Sequence, residues 1–313
     1  MKLVFMGTPD IAAHCLSELL REGAHEVCAV YTREDKPVGR KQVLTAPPVK
    51  QVAQAHGIPI FQPKTLRDGE AARQIAALAP DLIVVVAYGR ILPQEVLAIP
   101  RLGAVNLHVS LLPQYRGAAP VQWSVIHGDK ETGVTIMQLD EGLDTGDILA
   151  VTPIAIGPEE TSGELFQRVT AVGAGTLLKT LHAIERGEIQ PVPQDHARAT
   201  LAPMLTKEQA RFTFGQDAQT LHDLIRGLNP WPVAYFEHAG KKVKVLRARV
   251  CPGAGAPGTV LETKPLTVAC TAGALILDQV VPGGSRPMEG SAWAAGRRLR
   301  KGERLGAEDG HDG

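Results

Sequence analysis

Asn106 and His108 carry the side chains best suited to acyl chemistry, and one residue separates them. On a strand, residues two apart project from the same face. An amide NH₂ can donate a hydrogen bond to a developing oxyanion, and an imidazole can accept or donate a proton near neutral pH. The pair therefore suits acyl transfer or hydrolysis. The alternative is a polar strand end whose side chains bond only to loop backbone.

A carboxylate follows in the glycine-flanked run Gly142-Leu143-Asp144-Thr145-Gly146-Asp147. Asp144 is placed to orient the imidazole and to assist proton removal, as in many acyl-transfer sites. Asp and Gly are also ordinary turn residues, so a plain tight turn is the competing interpretation. Taken together, the three side chains predict an acyl-transfer or hydrolytic site.

Several other chemistries are disfavoured by the motifs. The first turn reads Gly7-Thr8-Pro9-Asp10, whereas dinucleotide binding needs G-x-G-x-x-G there. The sequence has no P-loop and no H-E-x-x-H pair, and its four cysteines form no C-x-x-C pair. We therefore expect neither NAD, FAD nor a metal.

The elements that must position these residues form an α/β pattern over the first 155 residues. Thr8 and Pro9 are suited to the cap and first position of a helix, and Thr161 with Glu164 forms a capping box for a helix to about Gly187. Ligands bind at the carboxyl ends of strands in such sheets. The predicted strands are 3–6, 27–32, 58–61, 82–88, 104–109, 134–139 and 147–156.

The remainder of the chain has a different character. Residues 188–206 are rich in proline and polar groups, which is typical of a linker. Beyond them, a short helix at 217–227 precedes several short strand-like runs, which indicates a small barrel such as an OB-fold. We predict a Rossmann-like, mostly parallel domain over 1–187, a linker over 188–206 and an OB-like β-barrel domain over 207–313.

The ordered motifs resemble those of the formyltetrahydrofolate-dependent transferases. The core matches are 106–120, 131–137 and 142–147. Further matches favour the methionyl-tRNA formyltransferase family within that superfamily; they are 5–10, 36–41, 47–50, 84–93, 207–211 and 229–232. The resemblance implies 10-formyltetrahydrofolate as co-substrate and initiator methionyl-tRNA as acceptor.

The resemblance also implies roles for individual residues. Asn106 and His108 would hold the formyl oxygen, and Asp144 would orient His108 and help to deprotonate the attacking amine. The implied folate residues are Ser110, Leu111, Leu112 and Pro113 in a loop, with Tyr88, Gly89, Ile91 and Leu92 around the pterin. For Ile91 and Leu92, simple packing at a strand end is the alternative.

Basic residues supply the expected contacts to tRNA. The resemblance assigns the long loop 33–48 to the acceptor stem. This loop carries Arg33, Lys36, Arg40 and Lys41; Arg40 is the residue that matches the family, and Arg40 and Lys41 are the expected tRNA contacts. After Arg40 the family pattern has a glycine and a lysine pair that this loop lacks. Alternation places Lys242 and Lys244 on one strand face, where phosphate contact and simple solubility are both open. Formal net charge is zero, with a modest basic surplus after Lys207.

Other functions compete with this one. A formyltransferase acting on a small amine would share the three side chains, and so would a formyltetrahydrofolate hydrolase. A non-catalytic nucleic-acid-binding protein would leave them unexplained. No stretch approaches the roughly 20 apolar residues of a membrane span, so we expect a cytoplasmic protein, without membrane contact and monomeric.

Overall fold

The computed structural model describes residues 1–39 and 42–306. These residues form two compact units, and each unit is built from separate stretches of chain. Unit 1 comprises 1–117, 132–154 and 167–201; unit 2 comprises 118–131, 155–166 and the described residues from 202 onward. The two units are thus interleaved along the chain. The predicted division into a first domain over 1–187, a linker over 188–206 and a second domain over 207–313 stays a prediction.

The strands and helices up to residue 201 alternate as the sequence pattern indicates. The strands are β1 Lys2–Gly7, β2 Glu26–Tyr31, β3 Lys36–Val38, β4 Val43–Thr45, β5 Ile60–Phe61, β6 Leu82–Val86, β7 Ala104–His108, β8 Arg116–Gly117, β9 Glu131–Gln138 and β10 Ile148–Ala155. The helices are α1 Asp10–Glu22, α2 Pro48–Ala55, α3 Glu70–Leu78, α4 Gln94–Leu97, α5 Pro120–Ile126 and α6 Ser162–Glu185.

Unit 1 is organised around a seven-stranded sheet in the order β10-β9-β7-β6-β1-β2-β5. β1 pairs in parallel with β2 and β6, and β6 pairs in parallel with β7. β9 pairs antiparallel with β7. Every residue of β6 is buried, as expected for a strand covered on both faces. The predicted Rossmann-like, mostly parallel sheet is confirmed.

The first helix begins one residue later than the sequence predicts. Pro9 occupies the cap position and Asp10 is the first helical residue. The Thr8 hydroxyl does not cap the helix; it donates a hydrogen bond to the Tyr88 carbonyl oxygen at 3.0 Å. The predicted Thr8 cap is wrong because this hydroxyl already has an acceptor just beyond the end of β6.

The capping box at the start of α6 is confirmed. The Glu164 amide donates to the Thr161 hydroxyl oxygen at 3.3 Å, and the Thr161 amide donates to a Glu164 carboxylate oxygen at 2.9 Å. These hydrogen bonds from Thr161 lower the pKa of the Glu164 carboxyl from 4.5. Donors that the helix leaves unpaired are thereby satisfied reciprocally.

Thr161→Val keeps the shape of this side chain and removes its hydroxyl. We expect the free energy of unfolding to fall by about 1 kcal/mol. A carboxylate with a depressed pKa stabilises the fold above its ordinary pKa, and this contribution is lost as the pH falls through the folded value. The difference between variant and parent should therefore shrink well below pH 4.5. Urea unfolding measures it, with Thr161→Ser as control; equal losses in Val and Ser at neutral pH would contradict the prediction.

The strands from residue 201 onward are β11 Leu201–Ala202, β12 Tyr235–His238, β13 Lys241–Cys251, β14 Val260–Thr263, β15 Leu266–Ala269, β16 Ala274–Pro282 and β17 Met288–Glu289, and the helices are α7 Ala218–Gly227 and α8 Gly290–Arg297. β11 pairs with β8 in a separate two-stranded sheet, and the other six strands form an antiparallel sheet. The sheet order is β12-β13-β16-β15-β14, with β17 on β16.

The core of unit 2 is aromatic at one end. The Phe236 ring is fully buried and lies 5.8 Å from Phe212, 5.3 Å from Phe214 and 5.9 Å from Trp293, between ring centroids. Tilted and edge-on pairs of this kind add to the burial of apolar area. The predicted OB-like β domain is confirmed. Helix α8 was not predicted, because two glycines interrupt its pattern.

Candidate active site

Asn106 and His108 lie at the carboxyl end of β7. Asn106 is half-buried and pairs across the sheet with Val85 on β6 and Met137 on β9. His108 is the last residue of the strand and is 6% exposed. Its Nε2 lies 2.9 Å from the Tyr115 carbonyl oxygen. Since a carbonyl only accepts, Nε2 carries a hydrogen, and Nδ1 is left to face Asp144.

The Asp144 carboxylate is held beside this imidazole. Its Oδ2 lies 3.6 Å from Nδ1 of His108 and accepts a hydrogen bond from the Gly117 amide at 2.8 Å. A separation of 3.6 Å is too long for a hydrogen bond, so the coupling to His108 is electrostatic. Asp144 has φ +52°, the left-handed region that costs energy for most side chains. The structure thus brings the two predicted side chains together; their catalytic roles stay predictions.

The route by which Asp144 reaches His108 depends on the direction of β9. Because β9 is antiparallel to β7, Gln138 near its end pairs with Val105, whereas Thr135 pairs with His108. The loop after β9 therefore starts beside the beginning of β7 and must turn back. Had β9 been parallel, the loop would have started at the carboxyl edge without such a turn.

Glycines and a second aspartate shape this returning loop. One Asp140 carboxylate oxygen accepts from the Gly142 amide at 2.9 Å and from the Thr145 hydroxyl at 2.6 Å. A Cβ at Gly146 would lie 1.9 Å from the Gln138 carbonyl oxygen, which no structure tolerates. Gly146 is therefore required by close backbone approach, whereas a Cβ at Gly142 would collide with the Thr145 side chain.

A second set of contacts comes from the stretch whose composition predicted a linker. Gln194 is buried, and its amide NH₂ donates to the Asp144 and Gly146 carbonyl oxygens at 2.9 and 2.7 Å. The Thr200 hydroxyl accepts from the Tyr115 amide at 2.8 Å, and its carbonyl accepts from the Arg116 amide at 2.9 Å. Sequence reasoning missed Gln194 and Thr200, because proline-rich polar composition gives no sign of buried contacts.

The predicted folate loop is ordered by its own hydrogen bonds. The Ser110 hydroxyl is buried and donates to the Gln114 carbonyl oxygen at 2.6 Å. The Thr135 hydroxyl donates to the Ser110 carbonyl oxygen at 2.7 Å and accepts from the Leu112 amide at 3.2 Å. Leu111 packs where a Cβ on Gly133 would stand, and Pro113 is half-buried. The Ser110 hydroxyl is thus paired with a backbone acceptor inside the loop, and contact of Ser110, Leu111, Leu112 and Pro113 with folate stays a prediction.

The four residues predicted around the pterin divide into two pairs. Tyr88 and Leu92 are 1% and 6% exposed and belong to the core of unit 1. Burial raises the pKa of the Tyr88 hydroxyl, which has no hydrogen-bond partner among the described residues. Ile91 is 69% exposed, and Gly89 is exposed with its carbonyl accepting from Arg33 at 2.7 Å. Contact with a pterin stays a prediction for all four.

Of the predicted tRNA residues, Lys242 and Lys244 lie on one exposed face of β13. The Lys242 ammonium lies 4.3 Å from the centroid of the Tyr235 ring and donates to its hydroxyl at 3.1 Å. Arg40 and Lys41 lie outside the described residues.

The base of the 33–48 loop is anchored in unit 1. The Lys50 ammonium lies 2.8 Å from Asp35 and 2.9 Å from the Gln62 amide oxygen. The Gln62 NH₂ donates to Asp35 at 2.8 Å. The hydrogen bond from Gln62 and, to a smaller extent, the one from Lys50 lower the pKa of the Asp35 carboxyl. Beyond this anchor, Val43 and Leu44 on β4 are 60% and 66% exposed. The loop thus presents apolar side chains to solvent from a fixed base.

One group of residues could hold a metal ion among those that the structure describes. The ligand atoms of His25, His182 and Glu185 lie within 4.8 Å of one another. The Met1 amine lies among them, 2.9 Å from a Glu185 oxygen and 3.4 Å from Nδ1 of His25. The group lies at the amino end of β1, away from the strand ends that carry Asn106 and His108. Within the described ranges, no helix is both long and apolar enough to cross a membrane.

Comparison with known proteins accounts for nearly the whole chain. Residues 1–181 match the family described as formyl transferase, and residues 204–298 match the formyl transferase C-terminal domain. The methionyl-tRNA formyltransferase of Myxococcus xanthus is 46% identical over 303 residues, covering 96% of this chain and 96% of that protein. That of Alkaliphilus oremlandii is 43% identical, covering 98% of this chain and 100% of the relative.

Solved structures agree in fold. An N-formyltransferase from Helicobacter canadensis, in complex with folinic acid and dTDP-3-aminofucose, superposes with a TM-score of 0.68 at 18% identity, covering 88% of this chain and 98% of that one. HypX from Aquifex aeolicus, in complex with tetrahydrofolic acid, gives 0.62 at 20% identity, covering 94% of this chain and 46% of that one. Family match and full-length identity together show that the chain belongs to the formyl transferase family and, within it, to the methionyl-tRNA formyltransferases.

Proposed function

We propose that this protein transfers the formyl group of 10-formyltetrahydrofolate to the α-amino group of initiator methionyl-tRNA, giving N-formylmethionyl-tRNA. The observation that carries the proposal is the meeting of His108 and Asp144 beside Asn106, at the carboxyl end of β7. That arrangement stands in a chain whose full-length relatives are methionyl-tRNA formyltransferases.

The mechanism depends on which ring nitrogen of His108 already has a hydrogen-bond partner within the protein. Nε2 donates to the Tyr115 carbonyl, so Nδ1 is the nitrogen left for substrate. Donation from Nδ1 to the formyl oxygen requires a hydrogen on that nitrogen as well, and the Asp144 carboxylate lies 3.6 Å from it. Asn106, two residues earlier, adds a neutral donor. Together they stabilise negative charge on the formyl oxygen as it develops.

The amine needs positioning more than strong deprotonation. A free α-amino group has a pKa of about 7.7–8.0, and esterification of the carboxyl lowers it further, so a useful fraction is neutral at pH 7. Its nitrogen forms a bond to the formyl carbon, and the proton it loses passes to the Asp144 carboxylate. The bond from that carbon to N10 of the folate then breaks, and N10 takes the proton that Asp144 received, which restores the carboxylate. This chemistry requires no covalent enzyme intermediate.

The tRNA partner is supported by basic side chains in two places. Lys242 and Lys244 share an exposed face of β13, and the 33–48 loop carries Arg40 and Lys41 beyond its anchored base. We propose that both regions contact the phosphates of the acceptor arm. We further propose that the protein acts as a monomer in the cytoplasm.

A single assay separates this function from its rivals. Purified protein is given methionyl-tRNA with and without 10-formyltetrahydrofolate, beside a panel of small amines and a water-only arm. Formyl-methionyl-tRNA formed only in the presence of the folate supports the proposal. Formylation of a small amine alone would show that the acceptor is wrong. Release of formate without an acceptor would identify a hydrolase.

Replacing Lys242 and Lys244 together by alanine tests the barrel's binding of tRNA. We expect weaker tRNA binding, because both lysines lie on an exposed face of β13. Tetrahydrofolate binding should not change, because both lysines belong to unit 2 and the predicted folate residues belong to unit 1. The log–log slope of binding against salt should flatten by roughly 0.7–0.9 for each tRNA phosphate that the variant no longer neutralises. Lys264→Ala, at another exposed lysine of unit 2, is the matched control. An unchanged slope would show that this face does not hold tRNA.

A further inference from the structure

Two buried polar side chains behind the reacting residues have no part in the mechanism so far. Arg116 is 7% exposed and Gln194 is 6% exposed. Nε and Nη2 of Arg116 donate to Oε1 of Gln194 at 3.3 and 2.7 Å. Nη2 also lies 3.0 Å from Nδ1 of His196. Burying a guanidinium is costly unless its donors are satisfied, so Gln194 and His196 supply acceptors that this cation needs.

This pairing fixes which way the Gln194 amide points. Only its oxygen can accept from the guanidinium, and only its nitrogen can donate. The NH₂ group is therefore directed at the Asp144 and Gly146 carbonyl oxygens, 2.9 and 2.7 Å away. Gln194 clamps two carbonyls of the returning loop, one of them belonging to Asp144 itself.

The clamp acts at a residue with left-handed backbone. Asp144 has φ +52°, a region that aspartate tolerates better than most residues and that neighbouring contacts help to hold. The direction of the Asp144 carboxylate depends on this backbone. At the other end of the clamp, Arg116 follows Tyr115, whose carbonyl accepts from His108, and precedes Gly117, whose amide donates to Asp144. Arg116 and Gln194 thus tie the loop that carries Asp144 to the loop that holds His108.

We propose that Gln194 is a positioning residue for formyl transfer, which sets the Asp144 carboxylate relative to His108 through the two carbonyls it holds. The inference rests on the proposed function only for the identity of the acceptor. Gln194 touches no substrate, so its loss should act on turnover and not on binding.

Two variants separate positioning from folding. Gln194→Ala removes the whole clamp. Gln194→Glu keeps an acceptor for Arg116, now with charge, but loses both donors to the loop. We expect each to lower kcat by about 10- to 100-fold, with KM for both substrates within about threefold of the parent. Gln190→Ala, at an exposed glutamine four residues earlier, is the matched control. A Gln194→Glu variant that folds and has the parental kcat would overturn the proposal.

A double-mutant cycle with Asp144 supplies the readout that a purely structural role would not move. If Gln194 acts through Asp144, Gln194→Ala should cost less than about threefold in an Asp144→Ala background, because nothing remains to be positioned. The same fold-loss in both backgrounds would show that Gln194 acts elsewhere. Failure of the proposed function is separately visible: the parent would then not formylate methionyl-tRNA, and the cycle would be run on the amine or hydrolysis reaction that the parent does catalyse.

Discussion

Asp144→Ala and His108→Ala are each expected to lower kcat for formyl transfer by about 10² or more, with folding and tetrahydrofolate binding nearly intact. Each substitution breaks the pair that faces across 3.6 Å. In the proposed mechanism, loss of Asp144 removes the proton acceptor of the amine and the negative charge beside His108. Loss of His108 removes a hydrogen-bond donor to the developing oxyanion.

Asp144→Asn is the informative companion to these variants. It retains an oxygen that can accept from the Gly117 amide, so the loop should keep its shape while the charge is removed. We expect its kcat to fall nearly as far as that of Asp144→Ala, which assigns the effect to charge. Steady-state kinetics on folded protein, with tetrahydrofolate binding measured separately, provide the check. Losses under tenfold in both alanine variants would remove these residues from the chemistry.

The second large effect is expected at Asn106. In the proposed mechanism Asn106 donates a hydrogen bond to the formyl oxygen, and loss of one such donor typically costs about 10² to 10³ in kcat. We expect a loss of this size for Asn106→Ala. Asn106→Asp should be at least as damaging, because it places a carboxylate where negative charge develops. KM for 10-formyltetrahydrofolate should change little in either variant.

Thermal unfolding of the two Asn106 variants is needed to show that a loss of kcat does not come from loss of the fold. Asn106 lies within β7, paired with Val85 and Met137, so thermal unfolding must show that the sheet survives. A variant that melts like the parent and retains more than a tenth of its kcat would show that Asn106 is not an oxyanion donor.

Alternation and periodicity predicted most of the fold for a simple physical reason. Buried strands such as β6 must be apolar throughout, and the capping box at Thr161 is formed within four consecutive residues. Such signals are local. The direction of β9 relative to β7 has no local signal, because the same residues could form a strand beside a parallel or an antiparallel neighbour. The sequence therefore predicted that Asp144 follows a strand, but not that its loop must turn back.

The part of the candidate site that sequence reasoning missed, the buried Gln194, is held by contacts between residues far apart along the chain. Gln194 meets Arg116 across 78 residues of chain and Asp144 across 50. Its own surroundings are prolines and polar residues, which are typical of a linker. Burial of a glutamine in such a stretch is decided by the distant partners, so no local pattern could indicate it. Resemblance to the family indicated the three candidate catalytic residues but not the contacts that Gln194 makes behind them.

The interleaving of the two units has a consequence for synthesis on the ribosome. Domains generally fold as units, the N-terminal one first, as the chain emerges. Here residues 118–131 and 155–166 belong to unit 2, so they leave the exit tunnel before most of the unit they pack into exists. The strand that carries His108 emerges early, but Gln194 and Thr200 follow more than 80 residues later. The candidate catalytic residues therefore emerge before Gln194 and Thr200 can contact their loops, and the formation of these contacts is among the last events in unit 1.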